Sequence, residues 1–289
     1  MTGMRQYDFA FSCGLQCGAS MALREAGLQF ASYPFDWVSV RSFPAAAKII
    51  ASDFAGWLES PDNLELLDVR RGGFNKAIWL DHATGCGFAH DFSLFRTFEE
   101  SYPEICEKYR RRINRLQESL RNAKTVLVVC IELPKRNRAP DAELIEGRRI
   151  LEEKFPGTKF DVLYFHAGDG DPVPQTVADG ITVVAVECRT YEYGELSHTV
   201  DTSRIARYLR ENVTVTDPRT EAEKAQYLRD WTKQDRARWH GRNWLETFWI
   251  RMKFRQYRRL EKFLIGKQLV PRERPLWALW EHPVKGPAK

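Results

Sequence analysis

Tyr7-Asp8-Phe9-Ala10-Phe11-Ser12-Cys13-Gly14-Leu15-Gln16-Cys17-Gly18 is the stretch from which the rest of the chain is read. Its first five residues alternate and are rich in aromatics, which predicts a short strand. A glycine turn follows, and Ala19 to Ala26 are good helix formers stopped by Gly27. Strand, glycine turn and helix make the opening unit of an α/β fold. The same order puts Cys17 at or near a helix N-terminus, where unpaired backbone N–H groups and the helix dipole favour negative charge. A thiol so placed loses its proton more readily and becomes a better nucleophile. The competing reading of Cys17 is a small buried hydrophobe, the role of most free cysteines.

Working outward, a helix is predicted near Pro44–Ser60, with poor periodicity over the rest of residues 38–100. Pro103 is expected to open an amphipathic helix, because Ile105, Tyr109, Ile113, Leu116 and Leu120 recur at helical spacing. Thr125–Ile131 is a continuous apolar run of strand length, suited to a strand covered on both faces. A helix over about 142–155, strands over 160–165 and 181–186, a helix over 203–212 and a short edge strand over 213–215 complete the pattern. This alternation predicts an α/β fold, a three-layer sandwich around a mostly parallel sheet. With Tyr7–Phe11 in that sheet, Cys17 lies just beyond a carboxyl end, where open α/β sheets place their ligand sites.

Net charge is +5 but unevenly spread: residues 221–289 hold 17 Lys and Arg against 8 Asp and Glu. The chain therefore divides into a catalytic-type domain over 1–220 and a basic, Trp-rich helical C-terminal extension over 221–289. In that extension Trp244, Leu245, Phe248, Trp249, Met252, Tyr257, Leu260 and Leu264 fall at helical spacing, with arginines between them. Such a helix either lies on an anionic membrane surface or docks on the domain by its aromatic stripe. A nucleic-acid partner is not expected, since the body is acidic and shows no reader module. No window approaches eighteen uninterrupted apolar residues and the N-terminus has no apolar signal core. Six scattered cysteines give no disulfide framework. These features point to the cytoplasm, with a peripheral position at the inner membrane face as the extension's option.

No zinc-type Cys/His spacing and no Gly-rich phosphate loop occurs, so neither metal nor cofactor is expected. Asp169-Gly170-Asp171 reads first as a turn, and otherwise as the carboxylate pair of a metal-dependent glycosyltransferase. The thiol's best base is His90, set between Phe88 and Phe92 with a carboxylate, Asp91, beside it; His82 is the rival, and His166 ends a predicted strand. Asp36, between Phe35 and Trp37, either orients an imidazole or caps a helix. Gln16, with the backbone N–H of Cys17 or Gly18, is a candidate oxyanion donor.

Taken together, Ser12-x-Gly14-x-x-Cys17, Leu23-Arg24-x-x-Gly27-Leu28, Pro34-Phe35-Asp36-Trp37, Phe88-x-His90-Asp91-Phe92 and Lys108-Tyr109-x-Arg111-Arg112-Ile113 resemble the family described as putative papain-like cysteine peptidases. The likeness spans roughly residues 5–190. It implies a Cys–His hydrolase in which Cys17 is the nucleophile, His90 its base, and Asp91 or Asp36 the acid that orients the imidazole. Cys13 stands where an aliphatic residue is expected, which opens the option of a resting Cys13–Cys17 disulfide. Strand, glycine turn, Cys and helix are closer to flavodoxin-like hydrolases than to papain itself. The expected activity is thus thiol-dependent hydrolysis or acyl transfer on a small-molecule, peptide or glycan substrate. The alternatives are an acyltransferase of bacterial surface-polysaccharide biosynthesis, a non-catalytic envelope scaffold, and the glycosyltransferase.

Overall fold

The computed structural model describes residues 4–70, 76–132, 138–169, 172–190 and 198–223. Their elements are β1 (Arg5–Tyr7), β2 (Phe9–Ser12), α1 (Gly18–Glu25), β3 (Val38–Ser39), α2 (Phe43–Ala51), β4 (Leu64–Arg70), β5 (Lys76–Asp81) and β6 (Cys86–Ser93). They continue with α3 (Phe98–Asn122), β7 (Thr125–Ile131), α4 (Asp141–Lys154), β8 (Lys159–Gly168), β9 (Val173–Ala178), β10 (Ile181–Thr190), β11 (His198–Val200), α5 (Thr202–Asn212) and β12 (Val213–Val215). These residues fall almost wholly in one compact unit ending at Asp217. The helical extension expected over 221–289 lies, from residue 224 on, outside the described residues.

The apolar runs form the centre. β2, β7, β8 and β10 pair in parallel, in the order β10-β8-β7-β2, and β9 and β11 add antiparallel to β10. Side chains alternate across a strand, so the sheet feeds two clusters. One face holds Phe9, Phe11, Val126, Val128, Phe160 and Val162 with Ala46 and Ile50 of α2 and Leu144 and Leu151 of α4. The other holds Leu127, Val129, Leu163 and Phe165 with Ala22 and Leu23 of α1 and Ile205 and Leu209 of α5. Each Val, Leu, Ile or Phe among them contributes roughly 1.5–3 kcal/mol when fully withdrawn from water, before entropy is charged. The outcome is a mixed α/β fold with several sheets.

Four expectations are corrected. Tyr7–Phe11 is not one strand: the Asp8 carboxylate accepts from the backbone N–H of Lys124 (2.8 Å) and Thr125 (2.9 Å), and the chain turns there. β1 then leaves the sheet to pair in parallel with β12, so Val213–Val215 edges β1 rather than the main sheet. The helix expected to Ser60 stops at Ala51, because Asp53, Phe54 and Leu58 take positive φ. The long helix starts at Phe98, five residues before Pro103, because Thr97 and Glu100 form a capping box.

Residues 38–100, read as a mixed region with one helix and poor periodicity after it, contain a second, antiparallel sheet in the order β3-β6-β5-β4. Its register slips twice, between Leu66 and Asp68 and between Ala77 and Trp79. At the second slip, three residues of β6 (Ala89, His90, Asp91) stand opposite the single Ile78. Such a bulge bends its strand and re-aims the side chains on it.

Candidate active site

The turn after β2 is fixed atom by atom. Cys13 N donates to Val129 O (3.0 Å), so the chain stays on the sheet for one residue beyond β2. Gly14 then takes φ +69°, and a Cβ there would stand 2.8 Å from Phe35 Cβ, so only glycine fits. Its carbonyl accepts from Val40 N at 2.7 Å, which ties the 34–40 segment to the turn. Gln16 Nε2 donates to Glu132 O (2.9 Å) just past β7. Cys17 is the N-cap of α1, with φ −64° and ψ −18°, and is half-buried. It therefore sits at the carboxyl edge of the parallel sheet, at the N-terminus of α1, whose first N–H groups have no acceptor within the helix.

Asp36 is fully buried and its carboxylate is the joint of the region. It accepts from Ser12 Oγ (2.9 Å), Arg24 Nη2 (3.0 Å), Gln29 Nε2 (2.7 Å) and Tyr33 N (2.9 Å). Those donors come from β2, α1 and the loop after it, so one carboxylate fastens the strand before Cys17 and the helix after it to the Pro34–Trp37 turn. Of the two roles open to Asp36, capping is the one these contacts include: Tyr33, whose N–H it accepts, is the N-cap of the Pro34–Trp37 turn, and the other three donors make the carboxylate a brace as well.

Trp37, the next residue, packs edge-to-face on the half-buried His90 ring, with centroids 5.5 Å apart. Val38 pairs with Phe88, so β3 carries the bulge of β6 beside the segment that Gly14 holds. Asp91 is engaged on α3: Lys108 Nζ donates to it, and Tyr109 OH donates at 2.8 Å. Burial, and then the Asp91 charge, push the Tyr109 phenol well above its usual value and keep it a donor. His82 lies on the turn after β5, exposed, with Nε2 2.7 Å from Glu65 Oε2.

The carboxyl edge also gathers Glu132, which the sequence reading passed over, and His166, which it named at a strand end. Glu132 is buried beyond the last residue of β7, and its carboxylate accepts from Tyr164 OH at 2.7 Å. A carboxylate that ends an apolar strand-length run was the signal available for it. His166, at the end of β8, has Nδ1 2.8 Å from Ala167 O, an arrangement in which Nδ1 carries the proton and Nε2 is the acceptor. Burial lowers its basicity, opposed by that carbonyl and assisted by nearby Arg138. A cleft of about 580 Å³ opens between the starts of α2 and α4, its wall including Arg41, Ser42 and Glu143.

Neither Cys13 nor Cys17 is in a disulfide. Cys13 points into the face covered by α2 and α4 and meets Cys130 of β7; Cys17 begins α1 on the other face. Burial, and then the contact with Cys13, raise the Cys130 thiol well above its usual value. Cys86 is pushed up to about 12 and Cys106 is also raised, each chiefly by burial. Among the described residues no group of three His, Cys, Asp or Glu side chains could hold a metal ion. Asp171 of the Asp169–Asp171 pair lies outside them. Nor, among them, is any helix long and apolar enough to cross a membrane.

A family model described as putative papain-like cysteine peptidase matches residues 8–167, from the start of β2 to the end of β8. No curated protein and no solved structure gives a significant match.

Proposed function

Because the chain belongs to the family described as putative papain-like cysteine peptidases, we propose that it is a thiol-nucleophile enzyme of acyl transfer, with Cys17 attacking and His90 as its base. We read the helices on either face of the parallel sheet as the outer layers of a three-layer sandwich that presents Cys17 at its carboxyl edge. The observation that carries the reading is the seat of Cys17: a half-buried thiol at the N-cap of a helix, beyond a strand end. There the helix dipole favours the thiolate over the thiol.

In this reading the Cys17 sulfur attacks an acyl carbon, and the electron pair of the carbonyl moves onto its oxygen. The N–H groups opening α1 stabilise that oxyanion. His90 takes the Cys17 proton and passes it to the departing group, then takes a proton from an acceptor hydroxyl or water whose oxygen displaces the sulfur from the acyl carbon. Gln16 anchors the turn through Glu132 O, with its second amide N–H as a candidate oxyanion donor. Asp36 and Asp91 support the site through their own networks, Asp36 behind the Cys17 turn and Asp91 behind the bulge that carries His90. Peptide, glycan and small-molecule acyl groups all fit this chemistry.

Alkylation of the native protein with iodoacetamide near neutral pH, read by mass spectrometry at each cysteine, tests it. The raised thiols Cys86, Cys106 and Cys130 serve as slow internal controls. Cys17 is expected to label fastest, with Cys17→Ser removing the fast phase. His90→Ala should lower turnover of an activated ester by about 10²–10⁴-fold, the usual worth of a positioned base. Uniformly slow labelling of every thiol would remove the nucleophile from the proposal.

A further inference from the structure

A second cavity, of about 440 Å³, lies at the opposite, amino-terminal edge of the parallel sheet, where β7, β8 and β10 begin. Asp161 of β8 forms part of its wall, with a side chain only 14% exposed. Its Oδ2 accepts from Tyr7 OH at 2.8 Å and lies 4.0 Å from Arg5 Nη1. Burial above all, and then Asp161 itself, hold the Tyr7 phenol far above its usual value, so Tyr7 serves this carboxylate as a donor.

The other oxygen is different. Asp161 Oδ1 is buried and has no hydrogen-bond partner in the protein. A buried acceptor left unpaired costs about 1–3 kcal/mol, more when it carries charge. Space is kept beside it: Gly180 has φ +67°, and a Cβ there would stand 2.6 Å from Oδ1. Arg148, close to the same spot, is already spent on Glu152 (3.0 Å) and on the carbonyl of Asp179. Lys159, two residues before Asp161 and so on the same face of β8, is exposed. Among the described residues its ammonium has no ion-pair partner. Among the described residues the cavity thus offers one buried carboxylate oxygen without a donor and one exposed ammonium without an ion-pair partner, a strand repeat apart.

We propose that this cavity binds a small zwitterion, a free α-amino acid whose ammonium donates to Asp161 Oδ1 while its carboxylate meets Lys159 and Arg5. Arg5 lies near Oδ2 only, and an ammonium brings both a donor and a positive charge to Oδ1, where a hydroxyl brings a donor alone. A phosphorylated sugar fits less well, because its dianion would be repelled by Asp161 and by exposed Asp179 on the rim. The site lies at the opposite strand ends from Cys17 and does not depend on the chemistry proposed there.

Calorimetric titration of the full-length chain with the twenty L-amino acids tests this, followed by the N-acetyl and amide forms of the tightest binder. Glucose 6-phosphate stands for the rejected class. At least one amino acid should give a saturable isotherm, weakened at least tenfold by masking either pole. Asp161→Asn should weaken it by at least tenfold. Lys159→Met, an exposed change that leaves the core intact, should weaken it severalfold. The proposal is overturned if no amino acid saturates below about 10 mM, a dissociation constant already weaker than a millimolar contact. It is equally overturned if the masked forms bind as well as the parent, if Lys159→Met leaves affinity unchanged, or if glucose 6-phosphate binds in their place.

Discussion

The parallel sheet and the antiparallel sheet carry the two halves of the proposed catalytic pair, and they are built by opposite rules. β7 is buried from Val126 to Ile131 without interruption, and its apolar residues serve two clusters. β5 alternates between half-buried and buried residues, and the inward face of that sheet is aromatic. Trp79 packs on Phe92 and Phe98, with centroids 5.5 and 4.5 Å apart, and Phe88 packs on Trp57 at 5.5 Å. β2, buried along its whole length, hands over to α1 at its end, and so supplies a helix N-terminus for a thiol. A strand covered on one face is free to bulge, and so can re-aim a histidine. The pair therefore depends on whatever joins the two sheets, which is the segment from Tyr33 to Val40.

Removing that joint should give the largest effect. Asp36→Ala leaves the Arg24 guanidinium, only 16% exposed, without its carboxylate, and strands the Ser12, Gln29 and Tyr33 donors. Breaking a buried pair in this one-sided way costs about 3–5 kcal/mol. The shift in the urea unfolding midpoint measures it. Ser12→Ala, which deletes one neutral donor, should cost only about 1 kcal/mol. Equal effects from the two variants would show that the sheets are held together without the Arg24–Asp36 pair.

The same contrast decides what the sequence disclosed. Strands β7, β8 and β10 are continuous apolar runs bounded by turn residues such as Pro156-Gly157, and their helices follow at short intervals, so the parallel half was legible. The antiparallel half was not, because its two register slips break the period of two on which strand reading depends. His90 was visible as a residue type, but the bulge that carries it was not. The split at Asp8 depends on backbone N–H groups of Lys124 and Thr125, which no local pattern announces. Asp36 read equally as a cap or as a catalytic acid, since its donors are scattered over three elements. Glu132 could have been noticed as the carboxylate ending an apolar run.

A smaller effect should come from the antiparallel side. Thr97 caps α3, accepting from Glu100 N at 3.2 Å, while Glu100 Oε2 accepts from Thr97 N at 3.0 Å. α3 in turn supplies Tyr109 and Lys108 to Asp91, behind the bulge. Thr97→Ala should cost about 1 kcal/mol, the usual value of a lost N-cap. Amide exchange should quicken over Phe98–Ser101 before the rest of the helix responds. Unchanged exchange there would mean that the stacking of Phe98 on Phe92, with centroids 5.6 Å apart, sets the helix start.

The smallest effect belongs to the parallel side and differs in kind. Asp8 holds the start of β7 through a carboxylate that is exposed, and the N–H groups of Thr125 and then Lys124 lower its pKa below the ordinary value. Those bonds favour the anion, so the folded chain keeps the carboxylate ionised at a pH where the unfolded chain has taken up a proton. The stabilisation is therefore complete above the unfolded value of about 3.9 and disappears as pH falls through the lower, folded one. Asp8→Asn should unfold at lower urea than the parent at pH 7, and the two midpoints should converge as pH falls through the lowered, folded value of Asp8. The gap left by Thr97→Ala rests on a neutral hydroxyl, so no comparable convergence is expected from it over the same range. A pH-independent gap for Asp8→Asn would assign the break between β1 and β2 to backbone geometry rather than to charge, and would erase this difference between the two halves.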